Sequence, residues 1–142
     1  MKILVFVFTL MSFSVMAQTS AENWKTLSGL EYEKTKDEYG EIFVPKFGPT
    51  IKALEGKEIT LSGYIIPFEG MFEPDHLIVS SVPVASCFFC GGAGPESVAE
   101  IYLEEPVKYT AKKVTFTGKL TLNDSDVDQL MYILKEAKLE SE

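Results

Sequence analysis

The sequence predicts a mainly β fold, a small barrel or sandwich, on three observations. Short segments alternate apolar with polar residues, turn residues punctuate them, and a glycine sits in the middle of two of the alternating runs. From Lys57 to Glu69, Ile59, Leu61, Gly63 and Ile65 face one way while Thr60, Ser62 and Tyr64 face the other, the pattern of a half-buried strand. Gly63 in its middle marks a bend or a close approach of another backbone. His76 to Ser81 reads as a second short strand and Ala99 to Leu103 as a third. Lys113 to Leu122 alternates most cleanly, with Val114, Phe116, Gly118, Leu120 and Leu122 against Thr115, Thr117, Lys119 and Thr121. The last segment is open between two readings. Val127, Leu130, Met131 and Leu134 have helical spacing, whereas the run from Leu130 to Leu134 equally suits a buried strand. Upstream, Trp24, Leu27, Leu30 and Tyr32 are spaced so that a polar lead-in docks on the core. Pro49, Ile51, Leu54 and Gly56 read as one or two helical turns, with Pro at the start and Gly at the end. Gly63 and Gly118 favour strongly coiled strands, so the expected architecture is a small OB-like Greek-key barrel with one or two short helices.

Composition narrows the function classes. The chain has 142 residues, a net charge of −8, one His and two Cys, and its 13 basic residues are all lysine. The charge is wrong for a nucleic-acid partner, which needs basic groups to displace phosphate counterions. The lack of arginine removes the bidentate clamp for carboxylate or phosphate, and one His excludes a multi-histidine metal centre. Met1 and Lys2 form a short positive start, Ile3 to Met11 is apolar except for Thr9, and Val15-Met16-Ala17 precedes Gln18. This is the three-part pattern of a secretory signal peptide cleaved between Ala17 and Gln18, too short for a membrane anchor. The expected organisation is a signal peptide at 1–17, a lead-in at 18–48 and the barrel domain at 49–142. The expected location is periplasmic or secreted, with no transmembrane segment in the mature chain.

The run Leu54-Glu-Gly-Lys-Glu-Ile-Thr-Leu-Ser-Gly-Tyr-Ile-Ile-Pro67, followed by Cys-Phe-Phe-Cys-Gly-Gly-Ala-Gly-Pro-Glu-Ser-Val from Cys87, resembles a family of exported bacterial proteins of unknown function. Val114 to Leu120 and Tyr132-Ile-Leu134 continue the likeness. The resemblance implies an OB-like barrel closing with a strand at its C-terminal end. Some members of that family are encoded near envelope transport systems, metal uptake among them, and no activity is established for it. The resemblance assigns no role to either cysteine.

Cys87-Phe88-Phe89-Cys90 is the one spacing with chemical content. In an exported protein two cysteines ordinarily pair, yet a four-residue loop gains only about 2 kcal/mol from a disulfide by the chain-entropy model. Such a bridge shapes a turn more than it holds a fold. A CxxC pair at a helix start can instead exchange disulfides, although no thioredoxin-like βαβ pattern surrounds it. As a metal site the pair needs further ligands for zinc, with His76 and Asp75 as candidates, while copper(I) accepts fewer. Gly91, Gly92 and Gly94 serve either as a tight turn or as exposed N–H groups for an anion. Phe88 and Phe89 alternate, so one enters the core and the other lines an apolar contact.

Other candidates carry less. Asp124, Asp126 and Asp128 do not make a complete calcium loop, since Gln129 stands at the sixth position and Lys135 at the twelfth; a solvated turn, with a helix cap at Asp124 or Ser125, fits better. His76 with Ser80, Ser81 or Ser86 lacks a nucleophile-elbow motif. The expectation is therefore a non-catalytic binding or accessory module of the bacterial cell envelope, acting through the loop from Cys87 to Pro95 with His76 and Tyr64 as neighbours. Its partner is an envelope protein, a peptide or a glycan. The alternatives are a thiol–disulfide exchange enzyme and a zinc or copper carrier linked to envelope metal uptake.

Overall fold

The computed structural model describes residues 18–68 and 74–141, so the expected signal peptide at 1–17 and the end of the first expected strand at Glu69 lie outside it. The elements in order are α1 (Ser20–Leu27), β1 (Glu31–Asp37), β2 (Gly40–Lys46), α2 (Pro49–Lys52), β3 (Glu58–Ile65), β4 (His76–Ser80), β5 (Val98–Leu103), β6 (Lys113–Leu122) and β7 (Tyr132–Ser141). β1 and β2 form a separate antiparallel hairpin, and the other five strands close into a barrel in the order β3-β4-β5-β7-β6. Every pairing in the barrel is antiparallel except β5 with β7, which is parallel. Five strands closed in this order make the OB-like barrel that the alternating segments and mid-strand glycines predict.

The alternation reads directly into burial. In β3, Ile59, Leu61 and Ile65 point into the barrel, where they meet Leu77, Val79, Ala99, Ile101, Val114, Phe116, Leu120 and Leu134. Both strand glycines are required by close approach. A Cβ on Gly63 would collide with the Ser80 carbonyl, and one on Gly118 would lie 2.9 Å from the Ala137 methyl. Opposite Gly118 the β6–β7 register shifts, and Glu136 takes a left-handed φ of 50°. This is a bulge, which adds the local coil that closure demands. The final segment is strand from Tyr132 onward, preceded by a loop through Val127, so the helical spacing of Val127 to Leu134 has no structural counterpart.

The lead-in docks as its apolar spacing suggests, but through elements of its own. Thr19 caps α1 in a reciprocal capping box with Glu22. β4 pairs with β3 only at Tyr64 and Ile65, which leaves the preceding edge of β3 open. α1 covers that edge: Asn23 Nδ2 donates to the Thr60 carbonyl (2.9 Å), Trp24 Nε1 to the Ser62 carbonyl (2.9 Å), and the Ser62 N–H donates to Ser20 Oγ (2.6 Å). Leu27 is fully buried, and its carbonyl accepts from the buried Tyr132 hydroxyl at 2.7 Å. α2 begins at Pro49, and Gly56 (φ 74°) follows it, as the Pro-to-Gly pattern indicates. Asp37 Oδ1 accepts from the Tyr39 and Gly40 N–H groups and so fixes the hairpin turn.

Candidate functional site

The cysteines lie in the long β4–β5 connection at one end of the barrel. The Ser81 N–H donates to the Ser97 carbonyl at 2.9 Å and closes the base of this connection. Three short 3-10 turns build it: Val84–Ser86, Phe88–Cys90 and Pro95–Ser97. The second turn carries the CxxC pair. The Cys90 N–H donates to the Cys87 carbonyl (3.1 Å), the Gly91 N–H to the Phe88 carbonyl (3.0 Å) and the Gly92 N–H again to the Cys87 carbonyl (3.1 Å). Gly91 is left-handed at φ 78°, and a Cβ on Gly92 would meet the Ser86 carbonyl oxygen at 2.5 Å. Gly91 and Gly92 therefore make a tight turn and spend their N–H groups inside it. Gly94 caps the third turn, where its carbonyl accepts from the Ser97 N–H and hydroxyl.

The two thiols lie side by side, Sγ to Sγ 3.8 Å, with Cys87 buried and Cys90 exposed. Cys90 Sγ also donates to the Val84 carbonyl at 3.2 Å. The hydrogen bond with Cys87 is the first cause raising the Cys90 thiol above its usual range; desolvation and the negative charge of a Cys87 thiolate add to it. Beside them stands an aromatic group that the sequence indicates only in part. Phe88 and Phe89 meet edge to face with centroids 5.3 Å apart, and Phe68, beyond β3, meets Phe89 at 6.5 Å and 80°. Phe68 is 48% and Phe89 49% exposed, and Phe88 is half-buried rather than in the core. Phe68 carries no local signal, because only the fold brings the end of β3 to this loop. Tyr64 stands at the loop's base, paired with Ser80.

His76 does not join the thiols. Its ring stacks on Tyr102 at 4.2 Å and 8°, and its Nε2 lies 3.7 Å from Glu100 Oε1. Glu100 is buried on the face of β5 opposite Ala99 and Ile101, and its Oε2 has no hydrogen-bond partner. Burial raises its pKa, while the His76 charge and the Leu130 N–H act the other way. Among the described residues no three His, Cys, Asp or Glu side chains gather to hold a metal ion. Asp124, Asp126 and Asp128 sit in a turn that Asn123 organises, its Oδ1 accepting from the Ser125 and Asp126 N–H groups, and no helix starts there.

The third turn is tied to the hairpin by Tyr32, whose hydroxyl donates to Glu96 Oε2 at 3.4 Å. Burial, followed by the Glu96 charge, pushes the Tyr32 pKa up to about 12. Among the described residues no helix is long and apolar enough to cross a membrane. Compared with protein-family models, curated proteins and solved structures, the chain matches none of them.

Proposed function

We propose that the protein is an exported, non-catalytic binding or accessory module of the bacterial cell envelope that works through the 87–95 loop. The observation that carries this reading is the exposed Phe68–Phe89 ring pair beside two thiols at one end of a closed barrel. Aromatic rings left half in water, Phe89 on a hydrogen-bonded turn and Phe68 against it, supply contact area with few rotatable bonds to fix, which suits a recognition surface. Export rests on the leader pattern of Met1 to Ala17 and on the family resemblance. A thiol-exchange enzyme is less well supported by the same loop. No positive side chain is hydrogen-bonded or ion-paired to either sulfur among the described residues, so nothing there would stabilise a thiolate.

The test is a photo-reactive phenylalanine analogue at position 89, compared with the same analogue at the more exposed Tyr39 on the hairpin. A discrete cross-linked product from position 89 and none from position 39 is expected in bacteria making the protein. Products that are alike from both positions, or absent from 89, contradict the reading.

A further inference from the structure

We infer that the groove between the β1–β2 hairpin and the β6–β7 loop docks an extended segment of another protein, apolar and bearing lysine or arginine, as an added strand along β2. The inference goes beyond the reading of the 87–95 loop and does not rest on it: neither that loop nor Tyr39 lines this groove. The groove holds about 430 Å³ between residues 42–45 on one wall and the 123–131 loop on the other. Side chains of a strand alternate between its two faces. A cavity that touches Ile42, Phe43, Val44 and Pro45 in succession therefore runs along the strand's edge. β2 pairs with β1 alone, and every second residue of an antiparallel pair turns its N–H and C=O away from its partner. From Glu41 to Lys46 none of these groups is hydrogen-bonded to backbone outside the hairpin among the described residues. The edge is a template for one more strand.

The walls select the occupant. Phe43 is 67% and Val127 96% exposed, and with Ile42 and Met131 they offer apolar surface for large side chains. Asp37, Asp124 and Asp126 rim this surface, and no lysine lines it. None of the three carboxylates is ion-paired among the described residues. The hairpin lysines are matched elsewhere: Lys34 is paired with Glu41, Lys46 with Glu33, and Lys36 stands opposite Glu41 in the register. A segment that alternates apolar residues with lysine or arginine meets both the apolar wall and the acidic rim. A second copy of this chain, at net charge −8, brings like charge to that rim instead. The far wall is already fixed, because Asn123 Nδ2 donates to the Asp126 and Gln129 carbonyls at 2.7 and 3.1 Å. Little loop freedom is left to lose when a segment docks.

The experiment titrates the purified protein into a short fluorescent peptide that alternates leucine with lysine, read by anisotropy. Two control peptides carry glutamate in place of lysine, or serine in place of leucine. The expected result is saturable binding of the lysine–leucine peptide alone, weakened by added salt. Asp124→Lys is expected to weaken it about fivefold and Phe43→Ser about tenfold. Both side chains are exposed, so the variants keep the fold. Amide hydrogen exchange in residues 41–44 is expected to slow in the bound state. Equal binding of the glutamate peptide overturns the acidic rim as selector, and equal binding of the serine peptide overturns the apolar wall. Affinity unchanged in both variants places the peptide elsewhere on the acidic surface and overturns the groove, as does no binding at all. Exchange that does not slow overturns the added strand. A dimer in sedimentation that Phe43→Ser dissociates makes a second copy the occupant and overturns the partner segment. A cross-link from position 89 stands or falls apart from all of these outcomes.

Discussion

Glu100 sits on the outer face of β5 with one carboxylate oxygen facing His76 across 3.7 Å and the other without a partner. Burial favours its protonated form, so its folded-state pKa lies above the ordinary value of 4.5. The folded protein then holds a proton that the unfolded chain releases, and stability falls as pH rises from about 4.5 through the folded-state pKa. Glu100→Gln removes this titration. Midpoints of urea unfolding across that acidic range are expected to decline with pH in the parent and to flatten in the variant. Parallel profiles would mean that an unseen donor satisfies the carboxylate. A charged residue inside the apolar run Val98-Ala-Glu-Ile-Tyr-Leu103 is visible in the sequence. Its burial is not, because the neighbours that cover it come from β4 and from the β6–β7 loop.

The open edge of β3 is the feature that explains α1. An unpaired strand edge presents donors and acceptors that must be covered or solvated, and Ser20, Asn23 and Trp24 cover this one with side chains. Ser20→Ala removes only the acceptor for the Ser62 N–H and is expected to cost about 1 kcal/mol in chemical denaturation, the net worth of one such bond. Trp24→Phe removes the donor to the Ser62 carbonyl together with part of a ring packed on the core, so it is expected to cost more. No loss in either would show that water covers the edge as well as the helix does. The strands are legible because burial on one face imposes a period of two, and Gly63 and Gly118 mark close approaches that the packing bears out. The lead-in is legible only as something that docks. Its capping box, Thr19 to Glu22, and its Asp37–Gly40 turn are local signals, but an all-exposed β1 has no apolar stripe to mark it as a strand. The C-terminal segment is ambiguous in sequence because Leu130 to Leu134 satisfies both periods, and only its place between β5 and β6 decides it.

At the scale of the molecule, the barrel gathers into one end what the sequence disperses. The cysteines and Phe88–Phe89 are neighbours in the chain, and closure of β3 against β4 brings Phe68 to them. The same closure takes His76 to the outer face of β4–β5, away from the thiols with which composition alone would group it. The surface ion pairs, such as Lys119 with Glu136 at 2.7 Å, are exposed and contribute little to stability. They do not offset the net acidity, which remains a long-range field drawing cations toward the surface. The most direct test of the loop as a recognition surface of an exported protein is the protein recovered from the exported fraction with a photo-reactive phenylalanine analogue at position 89. The expected result is a chain beginning at Gln18 joined to one discrete cross-linked product. A chain that is not exported, or one that gives no product from position 89 beyond that from position 39, would contradict it.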